Sequence, residues 1–272
     1  MPNIKLVLCD IDGTIMPYGQ KMVSERMRAA FHAALDAGIR VGVATGRGFS
    51  WVPGFFDNDA ACIATCVATN GAEIFLDGEK IQEAHLPVEP LREAAEILRG
   101  IPGTGMLLFD GAKPLLAVGK REDLAVSMPA YASSCEDVDG VGDEEPSKGN
   151  AFVNGGRKEA QELCALLNER VADLDFDVPQ PGFLNIMAAG VNKASGIDRL
   201  CAAMGIALEQ VVVFGDGGND VSMLVHVPNS VAVSNAAPEA TEAARWHVGA
   251  CEDDAVADAI FALAAGEWPF IS

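Results

Sequence analysis

Largely apolar runs alternate with amphipathic stretches over the first fifty residues. Residues 4–9 and 41–44 have the composition of buried strands. Between them, apolar residues recur at 27, 30, 31, 34 and 35, which is the spacing of one helical face. Ser24 suits the N-cap of this helix, and Gly38 suits its C-terminal end. Two buried strands joined by a helix predict a βαβ unit, and hence a parallel sheet covered by helices.

The same pattern returns in the last third of the chain. A helix is predicted over 195–204, and apolar strands are predicted over 211–214 and 230–233. Helices are expected over 238–245 and, in the Ala-rich tail, over 254–265. The two ends of the chain therefore predict one α/β core with a parallel sheet, made of 1–83 and 189–272.

The middle of the chain, residues 84–188, has a different composition. It contains 18 acidic and nine basic residues, and six of the carboxylates lie in a loop over 136–145. A hairpin near 106–118, further strands up to 188, and helices after Pro90, after Arg121 and over 157–172 are predicted. We expect this segment to form a second α+β domain inserted into the core, and the acidic loop to be a solvated, mobile surface.

Charge limits the classes of partner. The formal net charge is −20 and the isoelectric point is about 4.4. Nucleic acids and anionic membranes are bound through clustered Lys and Arg, so neither is an expected partner. A small anionic substrate remains possible if a metal ion or a few placed cations make its site locally positive.

Cysteine usage and the N-terminal residues bear on the compartment. The seven cysteines include no C-x-x-C pair, and Cys62 and Cys66 have no second Cys/His pair to complete a zinc site. We interpret the cysteines as core residues and the four histidines as structural. The N-terminus lacks the long apolar segment of a signal peptide, and no apolar run is long enough to cross a membrane. A soluble cytoplasmic protein is expected, and its oligomeric state is left open.

Polar clusters follow the predicted strands at their carboxyl ends. These ends meet at one edge of a parallel sheet, which is where such folds bind ligands. Several carboxylates at one place repel each other unless a divalent cation neutralises them, and oxygen ligands without His or Cys favour Mg²⁺. The cluster residues, in chain order, are Asp10, Asp12, Thr45, Arg47, Lys193, Asp216, Asn219 and Asp220.

The spacing of two of these carboxylates suggests a reaction. Asp10 and Asp12 leave a strand on the same side, so both can flank one substrate. A carboxylate that faces a metal-held phosphate can attack phosphorus, and a second can protonate the leaving group and later activate water. Thr45 and Lys193 can donate hydrogen bonds to the remaining phosphoryl oxygens. Arg47 is equally suited to contact the substrate or to pair with a nearby carboxylate.

Four sequence motifs resemble those of the haloacid dehalogenase superfamily in order and spacing. They are Asp10-Ile-Asp-Gly-Thr14, Val43-Ala-Thr-Gly-Arg47, Gly190-Val-Asn-Lys193 and Gly215-Asp-Gly-Gly-Asn-Asp220. The segments at 69–72 and 231–236, and an insertion between the second and third motifs, resemble the Cof-type (subclass IIB) branch. The resemblance covers nearly the whole chain, and it implies a Rossmann-like core with an inserted, mobile α+β cap domain over 84–188.

The resemblance implies a role for each matching residue. Asp10 would be the nucleophile and Asp12 the general acid/base. Mg²⁺ would be held by the Asp10 carboxylate, the Asp12 carbonyl and Asp216, and it would be supported by Asn219 and Asp220. The implied phosphate-binding residues are Thr45, Gly46, Arg47 and Lys193.

The predicted function is therefore Mg²⁺-dependent hydrolysis of small phosphate monoesters, such as sugar phosphates, through an aspartyl-phosphate on Asp10. A phosphomutase would use the same chemistry but would need a basic cap, whereas this cap is acidic. A catalytically silent protein that binds Mg²⁺ and phosphate is the alternative of another class. It would have no need of an acid/base two residues from a nucleophile.

Overall fold

The structure is a computed structural model in which residues 3–270 are described. The described residues form two units, one made of 3–82 and 192–270 and the other of Glu83–Val191. Among residues 3–270, no helix is long and apolar enough to cross a membrane.

Strands and helices alternate along much of the chain. The strands are β1 Leu6–Cys9, β2 Arg40–Ala44, β3 Cys66–Ala68, β4 Glu73–Leu76, β5 Glu79–Glu83, β6 Thr104–Asp110, β7 Lys113–Val118, β8 Glu136–Asp137, β9 Gly149–Val153, β10 Leu174–Gln180, β11 Phe183–Ala188, β12 Val211–Gly215, β13 Asn229–Val233 and β14 Trp246–Val248. The α-helices are α1 Glu25–Asp36, α2 Val52–Phe55, α3 Ala60–Ile63, α4 Val88–Arg99, α5 Arg121–Ser127, α6 Pro129–Ser134, α7 Arg157–Arg170, α8 Lys193–Met204, α9 Val221–His226, α10 Pro238–Ala243 and α11 Ala255–Ala264.

The first unit is built on an eight-stranded sheet in the order β14-β13-β12-β1-β2-β3-β4-β5. The pairs from β14 to β3 are parallel, and β4 turns back antiparallel to β3. The central strands are buried on both faces, which is why they have continuous apolar sequences.

Successive residues of β1 enter two different cores. Val7 and Cys9 pack with residues of α1 and α11, whereas Leu6 and Leu8 pack with residues of α8 and α9 on the opposite face. This alternation follows from the two-residue period of a strand. The sheet is therefore covered by helices on both sides.

The second unit contains a six-stranded sheet in the order β10-β11-β9-β6-β7-β8. Its pairs are antiparallel except for the short parallel pair β7–β8. Residues of α4 and α7 pack on one face, and residues of α5 and α6 pack on the other.

The predicted α/β class with a parallel core sheet is confirmed, and several details differ. The strands β3, β4, β5 and β14 and the helices α2 and α3 were not predicted, because runs of three to five residues show no clear periodicity. Helix α4 begins at Val88 instead of after Pro90, since a proline in the first turn interrupts no helical hydrogen bond. The first two residues of the predicted acidic loop form β8.

The acidic loop also has ionic partners. All six of its carboxylate residues are exposed, as expected of a solvated face. Three of them form ion pairs, however: Glu136 with Lys113, Asp137 with Arg121, and Asp143 with Arg92. These pairs tie the loop to β7, α5 and α4.

Replacement of Phe31 by Ala should destabilise the first unit. Phe31 is fully buried and stacks on Phe56 with ring centroids 5.7 Å apart. The loss of packing and the cavity left behind should lower the free energy of unfolding by about 3–5 kcal/mol, measured by denaturant titration. Val225→Ala is the matched control because Val225 is 70% exposed, and its effect should stay within about 0.5 kcal/mol. Similar effects of the two changes would contradict the core assignment.

Candidate active site

Three neighbouring parallel strands deliver polar side chains to one edge of the core sheet. Asp10, Thr45 and Asp216 are the residues directly after β1, β2 and β12. Cys9, the last residue of β1, is in register with Val43 of β2 and with Phe214 of β12. The carboxyl ends of the three strands therefore lie side by side, and the cluster is a direct result of the sheet topology.

Lys193 lies at the centre of this cluster. It is the first residue of α8, whose N-cap Asn192 accepts a hydrogen bond from the backbone N–H of Ser195. Its side chain is fully buried, and its Nζ donates to Asp10 Oδ1 at 2.6 Å and to Asp220 Oδ1 at 2.5 Å. An ammonium at a helix N-terminus opposes the helix dipole, so these two carboxylates are what stabilise it there.

Asp220 is satisfied by the protein on both of its oxygens. Oδ1 accepts from Lys193, and Oδ2 accepts from the backbone N–H groups of Asp216 (2.9 Å) and Gly217 (2.8 Å). Its carboxylate therefore fixes the turn that carries Asp216.

Asp216 is held from the other side by the turn after β1. Its Oδ1 accepts from the Thr14 hydroxyl at 2.7 Å, and its Oδ2 accepts from the Tyr18 hydroxyl at 3.2 Å. Gly13 has φ of +85°, and a Cβ there would lie 2.5 Å from Asp216 Oδ2. Both the backbone conformation and the close approach therefore require glycine at this position.

Burial and mutual repulsion set the protonation of the cluster. Burial raises the pKa of Asp10 well above its usual range; Lys193 opposes this, and the charges of Asp220, Asp216 and Asp12 add to it. Burial, followed by the charge of Asp220, raises the pKa of Asp216 to about 7. Burial acts to lower the pKa of Lys193, but Asp10 and Asp220 outweigh it and the pKa lies above its usual value.

The carboxylate of Asp12 points to Arg47. Both of its oxygens accept hydrogen bonds from the guanidinium, Oδ2 from Nε and Oδ1 from Nη2, each at 2.9 Å. The sequence left two partners open for Arg47, and in this structure it makes the carboxylate pair. The bidentate geometry fixes the orientation of the Asp12 side chain.

The turn after β2 lies against a pair of asparagines. The Thr45 hydroxyl accepts a hydrogen bond from the backbone N–H of Arg47 at 3.1 Å and keeps its own proton for donation. Asn219 donates to Asn70 at 3.1 Å, and a Cβ on Gly46 would lie 3.2 Å from the Asn70 side chain. Asn70 itself has a positive φ of 52°.

The cluster has the charge and the donor atoms for a divalent cation. Carboxylate oxygens of Asp10, Asp216 and Asp220 lie within 4.8 Å of one another. Three ionised carboxylates and one ammonium give a formal charge of −2, which one divalent ion balances. Among residues 3–270, no group donates a hydrogen bond to Asp10 Oδ2, so this oxygen is available to a ligand.

Sequence reasoning missed four residues that support this site. They are Thr14 and Tyr18, which hold Asp216, Asn70, which holds Asn219, and Asn235, whose Nδ2 donates to the carbonyl of Gly13 at 2.8 Å. Thr14, Asn70 and Asn235 lie within motifs identified in the sequence, but the sequence did not indicate their hydrogen-bond partners. Tyr18 lies outside any motif, and no sequence signal indicated it.

Comparison with known proteins gives the family. The family model of haloacid dehalogenase-like hydrolases matches residues 7–260. The 5-amino-6-(5-phospho-D-ribitylamino)uracil phosphatase YbjI of Escherichia coli K12 is 29% identical over 274 residues, which cover 98% of this chain and 99% of that protein. A phosphoglycolate phosphatase of Halorubrum lacusprofundi is 27% identical over 241 residues, 86% of each chain.

Solved structures agree with this assignment at the level of the fold. The subclass IIB sugar phosphatase BT4131 superposes with a TM-score of 0.81 at 23% identity, covering 94% of this chain and 97% of that one. The chain belongs to the haloacid dehalogenase-like hydrolase family. The predicted resemblance and the predicted enzyme class, a phosphatase, are thereby confirmed.

Proposed function

We propose that the protein hydrolyses small phosphate monoesters in a Mg²⁺-dependent reaction that passes through an aspartyl-phosphate on Asp10. The observation that carries this proposal is the state of the Asp10 carboxylate. One oxygen is held by Lys193, and the other accepts no hydrogen bond from residues 3–270; a carboxylate oxygen of Asp10 also lies within 4.8 Å of one of Asp216. A fixed carboxylate with one uncommitted oxygen is suited to attack phosphorus.

We assign the metal site to the carboxylates of Asp10 and Asp216 and to the backbone carbonyl of Asp12. The donors are all oxygens, as Mg²⁺ requires. Asp220 takes a supporting role, because its two oxygens are occupied by Lys193 and by the Asp216–Gly217 turn. Asn219 supports the same loop through Asn70. When bound, the ion would neutralise the phosphoryl charge and orient the phosphorus toward Asp10.

In the first step, Asp10 Oδ2 forms a bond to phosphorus as the bond from phosphorus to the substrate oxygen breaks. The leaving oxygen takes its proton from the Asp12 carboxyl, and the alcohol departs. Lys193 holds the other Asp10 oxygen throughout and limits rotation of the nucleophile.

In the second step, Asp12 removes a proton from a water molecule whose oxygen attacks phosphorus. The bond between Asp10 and phosphorus breaks, and inorganic phosphate is released. Asp12 then carries the proton needed for the next leaving group, so the cycle closes without any other acid.

In this cycle Arg47 acts as a positioning residue for Asp12. In the structure it binds both oxygens of Asp12. A protonated carboxyl oxygen is a weaker acceptor than a carboxylate oxygen and must point its proton away from the guanidinium, so one of the two contacts weakens when Asp12 becomes protonated. The other contact keeps the carboxyl directed at the reacting oxygen.

The remaining residues bind the phosphoryl group and the rest of the substrate. Thr45, with its uncommitted hydroxyl proton, and the backbone N–H of Gly46 are the proposed donors to phosphoryl oxygens, together with Lys193. The two relatives act by name on a ribityl phosphate and on phosphoglycolate, which supports a small phosphorylated metabolite as the substrate. We propose that the Glu83–Val191 unit is the cap domain that selects it.

Replacement of Asp10 by Asn should abolish turnover. The amide retains the shape of the side chain but is no nucleophile, so phosphate release should fall by more than about 10³-fold. The measurement is release of inorganic phosphate from a panel of sugar phosphates, nucleotides, phosphoglycolate and flavin phosphates, with and without Mg²⁺. Asp36→Asn, on the exposed end of α1, is the matched control and should retain full activity.

Each outcome of this experiment discriminates between functions. Retained activity in Asp10→Asn would refute Asp10 as the nucleophile. Absence of phosphate release from every compound in the wild type would favour the phosphomutase, if the phosphoryl group is moved within a sugar, or the silent binder, if it is not.

Mg²⁺ should stabilise the wild-type protein through the same carboxylates. At a hundredfold excess over its dissociation constant, a ligand adds about 2.7 kcal/mol of stability, which corresponds to a rise of roughly 5 °C in melting temperature. Asp216→Asn should lose most of this rise, because a ligand and a negative charge are both removed, whereas Asp36→Asn should keep it. An undiminished Mg²⁺ effect in Asp216→Asn would show that the ion binds elsewhere.

Arg47→Lys should lower kcat by about tenfold and leave the Mg²⁺-induced rise in melting temperature unchanged. Lysine retains the charge but lacks the rigid planar fork that matches two carboxylate oxygens, so Asp12 loses its fixed orientation. Steady-state kinetics on the best substrate of the panel measure the effect, and Arg40→Lys, in an ion pair with Asp77 at the surface, is the control. If KM rises while kcat stays constant, Arg47 acts on the substrate instead of on Asp12.

A further inference from the structure

Three chemically different side chains lie close together in the first unit, and none of them belongs to the proposed active site. His32 belongs to α1, Asp59 is the N-cap of α3, and Cys62 lies within α3. His32 Nε2 is 2.7 Å from Asp59 Oδ2 and 4.0 Å from Cys62 Sγ, and the three atoms all lie within 4.8 Å of one another. The histidines and Cys62 were interpreted from sequence as purely structural, and this arrangement was missed.

The geometry does not fit a catalytic Cys-His-Asp relay. In such a relay the thiol and the carboxylate bind opposite nitrogens of the imidazole. Here both groups face the same nitrogen, Nε2 of His32. Burial, together with the charge of Asp59, raises the pKa of Cys62 to about 12, so the free thiol is a poor nucleophile. The carboxylate oxygen, the sulfur and the nitrogen instead face one another, as the ligands of a single metal ion do.

We propose that His32, Asp59 and Cys62 form a second metal site that binds one Zn²⁺ ion. Nitrogen, sulfur and carboxylate oxygen are the three donor types of protein zinc sites, whereas Mg²⁺ takes oxygen ligands. The sulfur and nitrogen donors distinguish this cluster from the all-oxygen catalytic cluster. The inference is independent of the proposed catalytic mechanism.

The distances are close to those of a tetrahedral zinc centre. Bonds of 2.0–2.3 Å place neighbouring ligand atoms about 3.3 Å apart for nitrogen and oxygen, and about 3.5 Å apart for nitrogen and sulfur. The nitrogen–oxygen distance must therefore open, and the nitrogen–sulfur distance close, by roughly half an ångström each. Small rotations of His32, whose side chain is 49% exposed, provide this movement.

The neighbouring residues leave the proposed ligand atoms of Asp59 and His32 available to a metal ion. Asp59 uses Oδ1 to accept the backbone N–H of Ala61, so Oδ2 is the oxygen directed at His32. Arg28, one helical turn before His32, has a carboxylate partner in Asp57 at 3.3 Å. Cys62 is buried while His32 reaches solvent, so water can complete a fourth position on the outer side. An ion that takes the thiolate displaces the thiol proton and joins α1 to α3.

Co²⁺ is the probe for this site, because a bound thiolate gives a sulfur-to-cobalt charge-transfer absorption that oxygen ligands do not give. The wild type should bind one equivalent of Co²⁺ with this absorption, and Zn²⁺ should displace it. His32→Gln, at a half-exposed helix position that tolerates the change, and Cys62→Ser should both lose the absorption. Cys164→Ser, at a partly exposed cysteine of the other unit, is the matched control and should keep it.

Calorimetric titration with Zn²⁺ adds a second readout. His32→Gln should weaken Zn²⁺ binding by more than about tenfold and leave Mg²⁺-dependent phosphate release unchanged. Absence of the charge-transfer absorption in the wild type would overturn the proposal, and so would its persistence in His32→Gln. Loss of phosphatase activity in His32→Gln would likewise contradict a site separate from catalysis. Failure of the catalytic proposal, in contrast, would leave the cobalt spectrum unaffected.

Discussion

A buried ammonium between two carboxylates is the interaction on which the candidate catalytic cluster depends. Lys193 joins the start of α8 to the end of β1 through Asp10 and to the turn after β12 through Asp220. Transfer of these charges from water is costly, and their mutual attraction offsets that cost only when the geometry is good. The sheet provides the geometry, since β1 and β12 are adjacent and parallel. The position of Asp10, the proposed nucleophile, is thus fixed by the core of the fold.

The two carboxylates of the first motif have opposite environments. Asp10 is buried among other carboxylates with one lysine, whereas Asp12 is partly exposed and paired with a guanidinium. They stand two residues apart, and the charge of Asp12 raises the pKa of Asp10 less than the charges of Asp220 and Asp216 do. This division suits a pair in which one group must stay ionised beside a metal ion and the other must exchange protons with solvent-derived groups.

The sequence predicted the parts of the structure that have a local signal. The βαβ pattern, the core helices and the identity of the clustered side chains followed from periodicity and from motifs at strand ends. Contacts between residues that are far apart in the sequence could not be predicted in this way. Arg47 had two equally plausible partners, because nothing in the spacing of residues 12 and 47 shows whether the guanidinium reaches the carboxylate. His32 and Asp59 are 27 residues apart and lie on different helices, so their contact required the fold.

Both oxygens of Asp220 accept hydrogen bonds, and this restricts which residue can occupy position 220. Oδ1 faces an ammonium and Oδ2 faces two backbone N–H groups, so every neighbour is a donor. An asparagine has the same outline but presents an acceptor on one side only. Whichever way its amide is turned, an NH₂ group meets another donor, and a buried hydrogen bond is replaced by a repulsive contact. The residue is thus specified by the need for a planar group that accepts on both sides, in addition to its charge.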